Sequence, residues 1–401
     1  MHKNPIPKFP VSSFGFPILH KKQIISILLI LVMPACVDRI TFDIGEPVDT
    51  IVVDGHISTH PGPYRITLNS ASDIQSKISI RTGVSAKAVI ISDNLGNSET
   101  LREVENGVYE TKADGIRGVV GRIYTMQVRL RDGRVYESLP DTLFSGGTMD
   151  SIYYVFKSEE TMNGTIHGFD IFFNSSGVTS KDRFLWQFKG TFKADTHPEL
   201  CNDPMHPCEP CADPTCYQCH YCNIAPLCSG LRNIGSVHSP RFVRVAPCEC
   251  CTCWYDLFND APILNDLTNK DGTVAFKKAY HVPLDRWIFQ HKIHIQVSQR
   301  SLSSQSYRFW KAIREQKEGI NNLFQPVSGK IPRNFIQLEG KPARIEGLFF
   351  ATSITQRSAY IGRYDVPTNV KIPSTAEFSW NDSCLKLFPN STATKPDYWI
   401  D

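Results

Sequence analysis

The stretch Ile51-Val52-Val53-Asp54-Gly55-His56-Ile57, a break at His60-Pro61-Gly62-Pro63, and then Tyr64-Arg65-Ile66-Thr67-Leu68 alternates apolar and polar residues on either side of a turn signal. A period of two places the apolar side chains on one face of an extended strand, and Pro-Gly punctuation marks the reversal between strands. The reading is two neighbouring strands at residues 50–58 and 64–69. Outward from it the same pattern recurs at residues 86–92, 107–111, 124–130 and 134–139. The segments between carry Asp93-Asn94-Leu95-Gly96-Asn97, Glu105-Asn106-Gly107 and Arg131-Asp132-Gly133-Arg134. Asn-Gly and Asp-Gly tolerate positive φ and favour tight hairpins. Short strands at this spacing predict an immunoglobulin-like β-sandwich over residues 47–145.

The rest of the chain predicts a larger β-rich domain, residues 150–401, entered through a linker at 140–149. Strand patterns lie at 151–157, 168–173, 183–192, 287–299, 335–338, 343–352 and 358–362. One helix interrupts them. Ser301 or Ser303 can cap it, Leu302, Phe309 and Ile313 share a face with Trp310 beside them, and Gly319 is its expected stop. The fold class is therefore mainly β, with a cysteine-rich insertion at residues 195–253.

Composition narrows the function. The chain has 401 residues, 41% hydrophobic and 21% charged, which is enough to bury a core. Forty-three Lys and Arg against forty Asp and Glu leave a formal charge of +3 with no long basic block, so nucleic acid is not an expected partner.

Residues 1–35 read as an export signal. Lys21 and Lys22 precede the apolar run Ile24-Ile25-Ser26-Ile27-Leu28-Leu29-Ile30-Leu31-Val32-Met33, which is shorter than the roughly 20 residues a spanning helix needs. Pro34-Ala35-Cys36 follows at once and resembles the lipobox of bacterial lipoproteins, with Met33 and Pro34 in place of the usual residues. Cys36 is then the expected lipidation site, residues 36–46 a tether, and the outer membrane the expected location. Several acyl chains on one residue anchor stably where one chain binds marginally.

Further motifs recur in order along the chain: Ile51 to Ile57 with Gly62 to Leu68, Asp150-Ser151-Ile152-Tyr153-Tyr154, Cys253-Trp254-Tyr255, Val297-Ser298-Gln299-Arg300-Ser301-Leu302, Tyr307-Arg308-Phe309-Trp310, Glu346-Gly347-Leu348-Phe349-Phe350-Ala351-Thr352-Ser353, and the closing Lys395-Pro396-Asp397-Tyr398-Trp399. In these the chain resembles the Bacteroidota lipoproteins classed as domain of unknown function 4249. The resemblance implies a cell-envelope lipoprotein, often encoded beside TonB-dependent transporters, and supplies no catalytic residues. Relatives commonly carry a Cys-x-x-Cys pair near the C-terminus, whereas Cys384 here has no local mate.

After Cys36 twelve cysteines remain: Cys201, Cys208, Cys211, Cys216, Cys219, Cys222, Cys228, Cys248, Cys250, Cys251, Cys253 and Cys384. Two readings stand. An exported, proline-rich loop needs covalent staples, and an even count allows six disulfides, with the adjacent Cys250 and Cys251 pairing outward. The spacing of Cys208, Cys211, Cys216, Cys219 and Cys222 also suits tetrahedral zinc, with His206, His220 or His238 as further donors.

Other constellations point to structure. No nucleophile elbow, zinc-protease helix or phosphate-binding loop occurs. The acid pairs Glu103 with Glu105 and Asp256 with Asp260 read as turn faces, and the rings of Trp254, Tyr255, Phe309 and Trp310 read as core before ligand platform. His291 and His294 fall on opposite faces of a strand. Asp49-Thr50, Asp141-Thr142 and Asp150-Ser151 resemble acceptor sequences for O-linked glycans. The expected function is a non-enzymatic, lipid-anchored accessory or ligand-capture subunit of a TonB-dependent transporter, without a cofactor. A metal-binding envelope protein using zinc, or a secreted hydrolase, are the alternatives.

Overall fold

The computed structural model describes residues 50–71, 82–162, 164–176, 182–196, 227–235, 241–265, 273–320, 331–373 and 383–401. The expected signal, the tether with Cys36, and Cys201, Cys208, Cys211, Cys216, Cys219 and Cys222 with His206, His220 and His238 lie outside those residues. No helix among the described residues is long and apolar enough to cross a membrane.

In chain order the first strands are β1 (Thr50–Ser58), β2 (Arg65–Ala71), β3 (Thr82–Gly83), β4 (Ala86–Asp93), β5 (Ser98–Thr100), β6 (Arg102–Glu105), β7 (Val108–Glu110), β8 (Ile123–Leu130), β9 (Val135–Ser138) and β10 (Asp141–Thr142). There follow β11 (Thr148–Thr161), β12 (Gly164–Ser176), β13 (Phe184–Asp195), β14 (Leu231–Asn233), β15 (Phe242–Arg244), β16 (Thr252–Phe258), β17 (Ile263–Leu264), β18 (Val274–Pro283) and β19 (Lys292–Ser301). Helix α1 (Ser304–Ile320) precedes β20 (Phe335–Glu339), β21 (Arg344–Thr352) and β22 (Ile354–Gly362), and a short helix α2 (Cys384–Leu387) lies near the C-terminus.

The alternation in β1 does what the sequence predicts: Ile51, Val53 and Ile57 are buried, with Ile66 and Leu68 of β2 beside them in one core. Val89 and Ile91 of β4 and Tyr124, Met126 and Val128 of β8 close that core from a second sheet. The two sheets run β21-β1-β2-β7-β6 and β20-β9-β8-β4-β5. Each therefore takes an end strand from residues 335–352. Strand β21 pairs in parallel with β1, Val53 opposite Gly347, while β20 pairs antiparallel with β9. The expected boundary at residues 145–150 is crossed twice, because the run Leu348-Phe349-Phe350-Ala351 is apolar on both faces and can be covered only between two layers. Phe349 and Ala351 enter the first core, and Leu348 and Phe350 face the other way. The expected linker at 140–149 is likewise built in, with β10 paired to β8 and Leu143 buried.

A second pair of sheets, β11-β12-β18 and β16-β13-β19-β22, encloses Phe169, Ile171, Phe173, Trp186, Phe188, Ile295 and Val297. Buried Gln299 accepts from the Trp186 indole at 2.7 Å and from the Ser175 hydroxyl at 2.6 Å, so this core carries a satisfied polar centre. The strand expected at 287–299 begins only at Lys292. Before it, Asp285 accepts from the backbone N–H of Trp287 at 2.7 Å and folds the chain into turns. Strand β18 escapes the alternation test because two register shifts interrupt its pairing with β12.

Helix α1 joins the two layered bodies. Leu302, Tyr307, Phe309, Leu348 and Phe350 form a third cluster with Leu185 and Leu264, the partly buried Trp310 and Ile313 packing against it. Ser303 caps the helix by accepting from the Ser306 N–H at 3.1 Å, whereas Ser301 donates to the Phe144 carbonyl at 2.7 Å. The helix runs through Gly319 to Ile320; glycine there costs only about 1 kcal/mol and does not force a stop. At its N-terminus, buried Asp141 accepts from Ser306 Oγ at 3.1 Å and from the Ala351 N–H at 2.9 Å, tying β10, β21 and α1 together. Burial pushes this carboxyl up, against the opposing hydrogen bonds of Ser303, Ala351 and Ser306.

His56 packs against Phe350 on the outer face of β1, ring centroids 5.6 Å apart. Burial, and then the Arg300 guanidinium, push it down to about 3. Above its ordinary value of about 6.5 the ring is neutral folded and unfolded alike. Between there and about pH 3 only the unfolded chain takes up the proton, so stability falls by about 1.4 kcal/mol per pH unit as pH drops. Urea midpoints across pH 6 to 4 should fall more steeply for the native chain than for His56→Gln. Equal slopes would remove His56 as the cause.

Candidate functional site

Strand β16 is the outer strand of its sheet, and its alternation divides its side chains between two open grooves. Trp254 and Asp256 face one, Tyr255 and Leu257 the other. The strand is fixed near its start. Among the described residues three disulfides gather beside it: Cys228 with Cys250, Cys248 with Cys251, and Cys253 with Cys384. Cys384 thus finds its mate 131 residues away, and the vicinal Cys250 and Cys251 pair outward as expected. On the strand's free edge Trp254 and Thr392 exchange backbone hydrogen bonds of 2.9 and 3.0 Å.

The first groove has a volume of about 350 Å³ and is built mostly by residues 392–398, which lie as a strap across β13, β19 and β22. Tyr398 stacks on His294 with centroids 4.6 Å apart, and its carbonyl accepts from the Tyr360 hydroxyl at 2.6 Å. Thr191 donates to Asp256 at 2.6 Å, which leaves the Tyr398 hydroxyl as donor in its 2.9 Å contact with Thr191. Lys189 pairs with Asp256 at 3.0 Å and stands 5.5 Å from the Tyr398 ring centre. Lys292 lies 5.0 Å over the Tyr360 ring, and Trp399 meets Trp254 edge-on at 6.5 Å. Burial, then Lys189, lower the pKa of His294, so its ring meets Tyr398 neutral at pH 7. Trp254 itself is 8% exposed, and its indole N–H has no acceptor among the described residues.

The second groove, about 310 Å³, is aromatic. Phe388 sits at its centre, with Phe192, Tyr255 and Trp287 at 5.6, 5.5 and 5.4 Å. Beside the strand's start, Asp195 accepts from His291 at 2.6 Å and from Thr252 at 2.6 Å. Although burial raises it, those bonds and the Lys193 ammonium hold its carboxyl well below the usual carboxylate range.

The sequence candidates separate accordingly. Trp254 and Tyr255 line grooves, while Phe309 and Trp310 pack into the third cluster. Asp256 is committed to Lys189 and Thr191, Asp260 is exposed, Glu103 accepts from Ser85 and Glu105 pairs with Arg65. His291 and His294 reach different partners. Ser151 is held by Asn174 at 2.9 Å, Asp141 is buried, and Asp49 lies outside the described residues. Among the described residues no three His, Cys, Asp or Glu side chains gather as metal ligands. Lys189, Thr191, Tyr360 and Phe388 carry no spacing signal and were not legible as site residues. Only the Lys395 to Trp399 motif announced the strap.

Residues 37–358 match the model of a family described as "Domain of unknown function (DUF4249)". The match ends before Tyr360 and the strap. No curated protein matches the chain.

Proposed function

The chain belongs to the DUF4249 family, and from that premise we propose that it is a non-enzymatic, lipid-anchored envelope protein that captures ligand for a TonB-dependent transporter. Acylation at Cys36 would confine the body to two dimensions and raise its effective concentration beside the transporter.

The observation that carries the reading is the pair of open grooves on the two faces of β16, lined by rings and held by disulfides and strap. Rigid aromatic walls offer contact area at low ordering cost. Binding is favoured over catalysis because the nearby ionisable groups are engaged with each other: Asp256 with Lys189 and Thr191, Asp195 with His291, Thr252 and Lys193.

Gentle solubilisation of native membranes and co-purification test the proposal. A TonB-dependent transporter should accompany the native chain and be lost from Cys36→Ser. Recovery of the native lipoprotein with no transporter would contradict it.

A further inference from the structure

We propose that the Cys248–Cys251 disulfide is an exchange site for a dithiol reductant, while the bonds Cys228–Cys250 and Cys253–Cys384 are structural. The three differ in what they close and in what covers them. Cys253–Cys384 spans 131 residues and both its cysteines are buried, and Cys228–Cys250 spans 22 with Cys250 buried. Cys248–Cys251 spans only three, and both its residues are partly exposed. A cross-link removes more freedom from the unfolded chain the longer the loop it closes, so the native fold resists opening of the short ring least. Exchange also needs a thiolate to reach a sulfur, and burial blocks that approach.

The surroundings give the step a direction. Residues 244–247 and Glu249 are exposed, so Cys248 sits in an accessible turn. The Cys251 carbonyl instead accepts from the Thr196 N–H at 2.7 Å, which holds it against the end of β13. An incoming thiolate attacks Cys248 Sγ, and the Cys251 sulfur leaves as thiolate and takes up a proton. The second thiol of the reductant then attacks its own sulfur in the mixed disulfide, and Cys248 leaves as thiolate and takes up a proton. The reductant ends as a disulfide, two electrons having passed to the chain, with Cys248 and Cys251 both thiols. Because the Cys251 carbonyl holds Thr196, where the chain enters the cysteine-rich insertion, this exchange acts at the root of that insertion. The inference stands whether or not the chain works beside a transporter.

The test uses the oxidised full-length chain, dithiothreitol as reductant, quenching with N-ethylmaleimide and peptide mass mapping. Cys248 and Cys251 should be labelled at least tenfold faster than Cys253 and Cys384, and ahead of Cys228 and Cys250, while near-UV circular dichroism is unchanged. Opening of either other bond first, or of all three together, overturns the proposal. In the double variant Cys248→Ser, Cys251→Ser the fast phase should vanish and the slow phases remain; a fast phase persisting at Cys228 and Cys250 also overturns it.

Discussion

Gly347→Ala is expected to destabilise the chain by more than about 3 kcal/mol, enough to leave a marginal domain largely unfolded. Two effects add at this position. Gly347 has φ +105°, a conformation that L side chains rarely adopt, and a Cβ there would stand 1.9 Å from the Val53 carbonyl oxygen of the paired strand. The obstacle is backbone and cannot rotate aside, so β1 and β21 must separate, and the first body loses its end strand. Gly96→Ala isolates the conformational part: its φ is +87° but nothing lies within 4 Å of the added methyl. That change should cost about 1–2 kcal/mol. Urea unfolding of both variants separates clash from strain, and equal losses would mean that the parallel pairing contributes little.

Removal of both partners in Cys253→Ser, Cys384→Ser should cost about 4–5 kcal/mol on chain-entropy grounds, since the bond closes a loop of 131 residues. The local consequence is equally specific. Cys384 opens α2, and Phe388, Thr392 and Tyr398 beyond it supply walls of both grooves. Hydrogen exchange at residues 384–401 should rise in this variant while exchange in β4 and β8, in the other body, keeps its order. The Cys248–Cys251 bond closes a far shorter loop, so its removal in Cys248→Ser with Cys251→Ser should cost no more than about 2 kcal/mol. A loss of equal size in the two double variants would contradict this ranking.

How far the sequence disclosed these features depended on whether a signal was local. Strand β1 was predicted at its observed bounds because one face is core and the other is not, so alternation marks it. Strand β21 was recognised as a strand but assigned to the wrong neighbours: parallel pairing across some 290 residues leaves no trace in spacing. Strand β18 was missed, since its bulges and the Lys277-Lys278 pair break the period of two. At the candidate site, Trp254, Tyr255 and the Lys395 to Trp399 strap stood out as aromatic motifs. Lys189 and Thr191 did not, because they are ordinary outward positions of β13 until Asp256 and Tyr398 are folded onto them. The expectation that Cys384 lacks a local mate was correct in sequence, and only the fold supplies Cys253.

The tether is the premise of the proposed function, and intact-mass analysis of the chain extracted from native membranes addresses it most directly. The account predicts a mature N-terminus at Cys36 carrying fatty acyl chains, with both the acyl mass and membrane retention lost in Cys36→Ser. A chain that retains residues 1–35, or begins elsewhere without acyl mass and fractionates away from membranes, would contradict it.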